Sequence, residues 1–142
     1  MGGVDLPPVS DPPHTSGMGY DDARGVWEIG CVGGDFSVRG GPNAPDPFRL
    51  DLAWRVAARI DAVLAEAKAY LAGQVAPGRH GVTAGWDLMG AEFGVEASDS
   101  EDTFDVLLNI DGDWLTGWCV AFRPSGARPH HYTPVRFSRR QW

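Results

Sequence analysis

Apolar positions along this chain change period twice, and the changes outline its elements. From Val26 to Val32 the alternation has period two, with Trp27, Ile29 and Cys31 on one side and Glu28 opposite, which predicts a strand. Gly33-Gly34 supplies the positive φ angles of a tight turn, and Phe36 and Val38 carry the return strand of a β-hairpin. After a loop over 40–47 the period becomes helical. Asp46 is a good N-cap residue, and Pro47 sits where a first-turn proline is tolerated. Leu50, Ala53, Trp54, Ala57, Ile60, Leu64, Ala67 and Leu71 then recur at three- and four-residue spacing, widened by Val56 and Val63, until Gly73 and Pro77 stop the run. About 26 residues at about 1.5 Å each predict one amphipathic helix near 40 Å long, rich enough in Ala for a sheet to approach closely.

Past a Gly-rich connection the period returns to two. Ala91, Phe93, Val95 and Ala97 alternate with Glu92, Gly94 and Glu96, and Phe104, Val106, Leu108 and Ile110 alternate with Asp105, Leu107 and Asn109. Asp111-Gly112 predicts a hairpin turn into a strand from Trp114 to Phe122, with Trp118, Val120 and Phe122 on one face. Pro124, Pro129 and Pro134 leave room only for a short strand around Val135 to Phe137. The expected fold is α+β: an N-terminal β-hairpin and one long amphipathic helix packed on an antiparallel β-meander. Residues 1–25 hold four Pro, five Gly and four Asp and read as a flexible arm, leaving 26–142 as a single α+β domain with a basic segment at 123–142.

Composition adds little until charge is read by position. The chain has 142 residues, 43% of them hydrophobic, and a net charge of −7, ordinary for one globular domain. It contains no apolar run long enough to span a membrane and no recognisable secretory signal, so the cytoplasm is the expected location. Cys31 and Cys119, alone and far apart, imply no disulfide framework. The nine acids Asp87, Glu92, Glu96, Asp99, Glu101, Asp102, Asp105, Asp111 and Asp113 occur with no Lys or Arg among them, whereas 123–142 holds five Arg and no acid. An acidic protein is repelled by phosphates, so neither nucleic acid nor a membrane is an expected partner.

Motifs for chemistry are missing. There is no Gly-x-Ser-x-Gly, no Gly-x-x-x-x-Gly-Lys, no Cys-x-x-Cys and no His-Glu-x-x-His. Asn109-x-Asp111-x-Asp113 resembles half a calcium loop, but its Gly is misplaced and Val120 stands where the twelfth-position acid belongs, so it reads as a turn. His130 and His131 are adjacent and would point to opposite sides of a strand. No metal site, cofactor or catalytic residue is therefore implied, and an enzyme is not expected.

Outward-facing Glu92, Glu96 and Asp105 repel one another across strands. Such a face is solvated, covered by the chain's own Arg tail, or used against a basic partner. The functional expectation is a small acidic protein-binding domain that neutralises a basic partner, as an inhibitor or an immunity protein against a nuclease-like toxin does. Its expected contact residues are Glu92, Glu96, Asp99, Asp102, Asp105, Trp114 and Trp118. One alternative is a carbohydrate- or small-ligand-binding module, which requires Trp114 and Trp118 to share an exposed face. Another is an enzyme of unrecognised class using His130, His131 and a carboxylate.

Overall fold

The computed structural model describes residues 2–10, 17–31, 34–74, 86–95, 102–110, 116–126 and 128–141. They form strands β1 (Val4–Asp5), β2 (Gly17–Asp21), β3 (Val26–Cys31) and β4 (Gly34–Arg39), helices α1 (Pro47–Ala58) and α2 (Ile60–Gln74), then strands β5 (Trp86–Phe93), β6 (Phe104–Ile110), β7 (Thr116–Pro124) and β8 (His131–Gln141). All eight strands belong to one sheet in the order β1-β8-β7-β6-β5-β4-β3-β2. The fold is α+β, as the changes of period imply, but the sheet is mixed. The hairpin β3–β4 is joined to the meander β5–β8 by parallel pairing of β4 with β5. Parallel neighbours need a crossover, and α1 and α2 supply it.

The expected single helix is two. Asp46 does cap α1, its carboxylate accepting from the Phe48 N–H at 3.1 Å, with Pro47 in the first turn. Arg59 then leaves helical geometry (φ −122°, ψ 29°), donating its N–H to the Val56 carbonyl before α2 begins. The break re-aims the chain: α1 packs on β4 and β5, and α2 on β8 and β1. A straight rod could not follow a twisted sheet over that span. The buried stripe shifts accordingly, to Leu52, Ala53 and Val56 in α1 and to Val63, Ala67 and Leu71 in α2. Leu50, Trp54, Ala57, Ile60 and Leu64 flank it, half-buried.

Under the helices lies a row of rings. Phe93, Phe104 and Phe122 occupy successive strands, with centroids 5.6 Å and 4.9 Å apart, and the second pair is stacked at 7°. Phe36 joins Phe93 at 5.6 Å, and Tyr132 joins Phe104 at 5.7 Å. Where β4 meets β5 the backbones come so close that a Cβ on Gly90 would run into the Asp35 carbonyl oxygen, which fixes glycine there. β5 ends at Phe93, short of the Val95 and Ala97 expected in it, because Gly94 turns the chain at φ +77° and its carbonyl accepts from Arg39 Nε at 2.7 Å.

Both termini are more ordered than their composition suggests. The described part of the expected flexible arm contributes β1, antiparallel to β8, and β2, antiparallel to β3, and Leu6 is fully buried in the core. A two-residue strand leaves no periodic signal, and glycine fills alternate positions of β2, so neither announced itself. β8 runs far beyond the short strand expected around Val135 to Phe137. Pro134 is accommodated opposite Phe122 where the β7–β8 register shifts, and β1 covers only His131 and Tyr132 on the other side. Its missing N–H therefore interrupts no continuous ladder. The predicted turns at Gly33 and at Asp111-Gly112 lie partly or wholly outside the described residues, although β3–β4 and β6–β7 are antiparallel pairs as those turns require.

Phe104→Ala is expected to lower unfolding free energy by about 3–5 kcal/mol in urea titrations, because it empties the centre of the ring row. Removing the α1 cap with Asp46→Ala should cost only about 1 kcal/mol. Similar losses in the two variants would contradict this placement of the core.

Candidate functional site

Both helices pack on the Phe36, Val38, Phe93 and Phe104 side of the sheet, so the residues between those positions point the other way. Strand register aligns them into a row. Gly19 stands opposite Glu28, Glu28 opposite Ser37, Ser37 beside Glu92, Glu92 opposite Asp105, Asp105 opposite Ala121, and Ala121 opposite Arg136. A second row runs through Gly30, Asp35, Gly90, Leu107, Cys119 and Ser138. The helix-free side thus carries Glu28, Asp35, Glu92 and Asp105 on β3 through β6 together with Arg39 on β4, Cys119, Ala121 and Arg123 on β7, and Arg136 on β8.

Glu92 and Asp105 are the expected contact residues that the structure brings together. They are directly cross-strand and retain only 6% and 4% of their exposure. Like charges opposed across a ladder are destabilising, and partial burial removes the water that would screen them. Arg24, from the turn after β2, relieves this arrangement: Nη1 lies 2.9 Å from Glu28 Oε1 and Nη2 lies 3.7 Å from Glu92 Oε2. Ser37 Oγ donates to Glu28 Oε2 at 2.9 Å. Asn109, on the same face further along β6, buries its Oδ1 with no hydrogen-bond donor among the described residues. Arg24, Glu28, Ser37 and Asn109 were not among the expected contact residues. Glu28 was legible from its parity opposite Trp27 and Ile29, whereas Arg24 lay hidden in the supposed arm.

The other expected residues fare differently. Asp102 is exposed just before β6. Glu96, Asp99 and Trp114 lie outside the described residues. Trp118 faces the helix side, 3% exposed, with its ring 5.7 Å from Phe137 and the Arg139 guanidinium over it at 5.6 Å. It offers no face to a ligand. The Arg-rich segment does not fold over the acids as a flap, because as β8 it lies in the sheet itself, separated from β6 by β7. Cys31 faces the helix side and Cys119 the opposite side, so the two free thiols are not partners. Burial pushes the Cys31 thiol up, with the Asp35 charge adding to the effect, so neither cause favours its thiolate.

His130 and His131 serve β1. His131 Nδ1 lies 2.8 Å from Asp5 Oδ1, Arg128 Nη2 donates to both Asp5 oxygens, and Arg55 Nη1 reaches His130 Nδ1 at 2.6 Å and the Leu6 carbonyl. Among the described residues no group of three or more His, Cys, Asp or Glu side chains could hold a metal ion. No described helix is long and apolar enough to cross a membrane. Comparison with known proteins finds no family model, no curated protein and no solved structure that matches the chain.

The β1 clasp gives a pH prediction. The His131 hydrogen bond holds the Asp5 carboxyl below its ordinary range, partial desolvation opposes this, and Arg128 adds to the lowering. A depressed folded-state pKa stabilises the fold above the unfolded value of about 3.9 and loses that contribution as pH falls through the folded one. Melting temperatures of wild type and Asp5→Asn should differ near neutral pH and converge in acid. A difference that is constant across the range would remove the clasp.

Proposed function

We propose that the chain is a noncatalytic binding protein whose helix-free sheet face takes a basic protein partner, in the manner of a small inhibitor or an immunity protein that neutralises a nuclease-like toxin. The observation that carries the reading is the Glu28–Ser37–Glu92–Asp105 row: acceptors aligned across four adjacent strands on the side of the sheet away from the helices, half-exposed at Glu28 and buried at Ser37, Glu92 and Asp105. Opposed carboxylates in such a row are a cost to the fold. A cationic partner converts the cost into complementarity, speeding encounter and rejecting acidic competitors. A sugar platform built on Trp118 is disfavoured by the burial of that ring.

The test is capture from the native host's lysate on immobilised chain, followed by kinetics with the retained protein. A basic protein should be retained and released by salt. Glu28→Gln with Glu92→Gln should weaken it at least about tenfold, or about 1.4 kcal/mol, mainly through the association rate. Circular dichroism would establish that the variant is folded. An association rate indifferent to ionic strength, or equal retention by the variant, would overturn the reading.

A further inference from the structure

The two edges of the sheet are treated differently. At the β8 edge, β1 covers His131 and Tyr132, Pro134 removes a donor, the β7–β8 register shifts, and Arg136 and Arg139 follow. Short cover, proline, irregular register and charge are the devices by which proteins keep an edge from pairing. The β2 edge has only one of them, the negative charge of Asp21 at its end. Gly17, Met18, Gly19, Tyr20 and Asp21 pair one-to-one with β3 without a register shift, contain no Pro, Lys or Arg, and meet no strand on their outer side among the described residues.

The glycines of β2 sharpen the contrast. Neither Gly17 nor Gly19 has a positive φ, and a Cβ at either would meet no atom of the described residues within 4 Å. Glycine inside a strand costs about 0.5–1 kcal/mol relative to alanine, so the fold by itself would be better served by a side chain. What the glycines provide is clearance. Gly19 stands opposite Glu28, at the end of the acidic row. A further strand beside β2 would place its residue opposite Gly19 about 10 Å from Glu28, two strand spacings away. An Arg or Lys side chain can span that distance only if nothing projects from the strand between. On the other face Met18, 45% exposed, and Tyr20 offer apolar contacts at the alternate positions.

We propose that the outer edge of β2 receives an extended segment of the basic partner as a ninth strand, with a cationic side chain crossing Gly19 toward Glu28. The inference rests on the basic-partner reading above and adds the mode of docking: backbone pairing for affinity, with alternation of Lys or Arg and apolar residues for specificity. The surface-exposed Arg24–Glu28 pair is weak enough to open for the incoming cation. A second copy of this chain is a poor occupant, because each copy carries a net charge of −7 and β2 holds no cation to offset Asp21.

The test uses the isotope-labelled full chain and two synthetic octapeptides of identical composition. One alternates Arg with Val or Thr, and the other groups its four Arg at one end. The alternating peptide should shift resonances of 17–21, slow exchange at every second amide of β2, and bind about tenfold more tightly than the grouped one. Gly19→Thr should melt no lower than wild type yet bind the alternating peptide about tenfold more weakly. Met18→Lys, an exposed edge substitution, should weaken it as well. Undiminished binding by both variants would overturn the proposal. Equal binding of the two peptides, perturbing Glu28 and Glu92 but not the β2 amides, would remove strand addition and leave the basic-partner reading standing. Binding of neither peptide would count against both. Self-association of the free chain with β2 amides already protected would show that a second copy holds the edge.

Discussion

Parallel pairing of β4 with β5 governs the rest of the molecule. Every other contact between neighbouring strands is antiparallel and can be closed by a short connection, but this one cannot. The chain between Arg39 and Trp86 must cross from β4 to β5, and its described helices, α1 and α2, pack on one side of the sheet. That crossover decides which alternate residues face the helices and which face away from them. The ring row from Phe36 to Phe122 lies beneath the helices, and the Glu28 to Asp105 row lies opposite as its direct consequence. Gly90, with no room for a side chain beside Asp35, is the local condition that lets the junction close.

The strand faces were legible because period two is unambiguous wherever one side is buried. Phe93, Phe104, Val106, Leu108, Val120 and Phe122 all fall on the core side that their spacing predicts. The helix break was not legible. No proline or glycine marks Arg59, and the heptad-like spacing of Ala and Leu runs through it, so only the tertiary requirement to follow two parts of a twisted sheet reveals it. β1 and β2 were illegible for a different reason. Their strand character comes from pairing with β8 and β3 rather than from any apolar pattern of their own, and backbone pairing is invisible in composition. The site inherited both limits: Glu92 and Asp105 could be placed by parity, while Arg24, delivered by the turn after β2, could not. Trp118 shows parity working without polarity, since its shared face with Val120 and Phe122 was readable but its side of the sheet was not.

Arg24 also explains how the fold tolerates its own acidic row. Two carboxylates opposed at 6% and 4% exposure would repel at close range in a medium poorer than water at screening. One guanidinium shared between Glu28 and Glu92 offsets part of that repulsion, and the Ser37 hydroxyl occupies another carboxylate lone pair. Arg24 is itself largely at the surface, where an ion pair contributes little.

The charge segregation along the chain takes on meaning only through the strand order. Acids concentrate before β7 and arginines after it, and the meander lays these segments side by side instead of apart. On the helix-free face, Glu28, Asp35, Glu92 and Asp105 occupy β3 to β6 together with Arg39 on β4, Cys119, Ala121 and Arg123 occupy β7, and Arg136 stands on β8. The result is a field with a direction across the sheet, negative toward β2 and positive toward β8. A uniformly acidic face would attract a basic partner in any orientation. A polarised one would also orient such a partner, its basic part toward β3 to β6 and its acidic part toward β8. Linear charge blocks in a sequence thus become an orienting surface once antiparallel neighbours bring them within a few strand spacings.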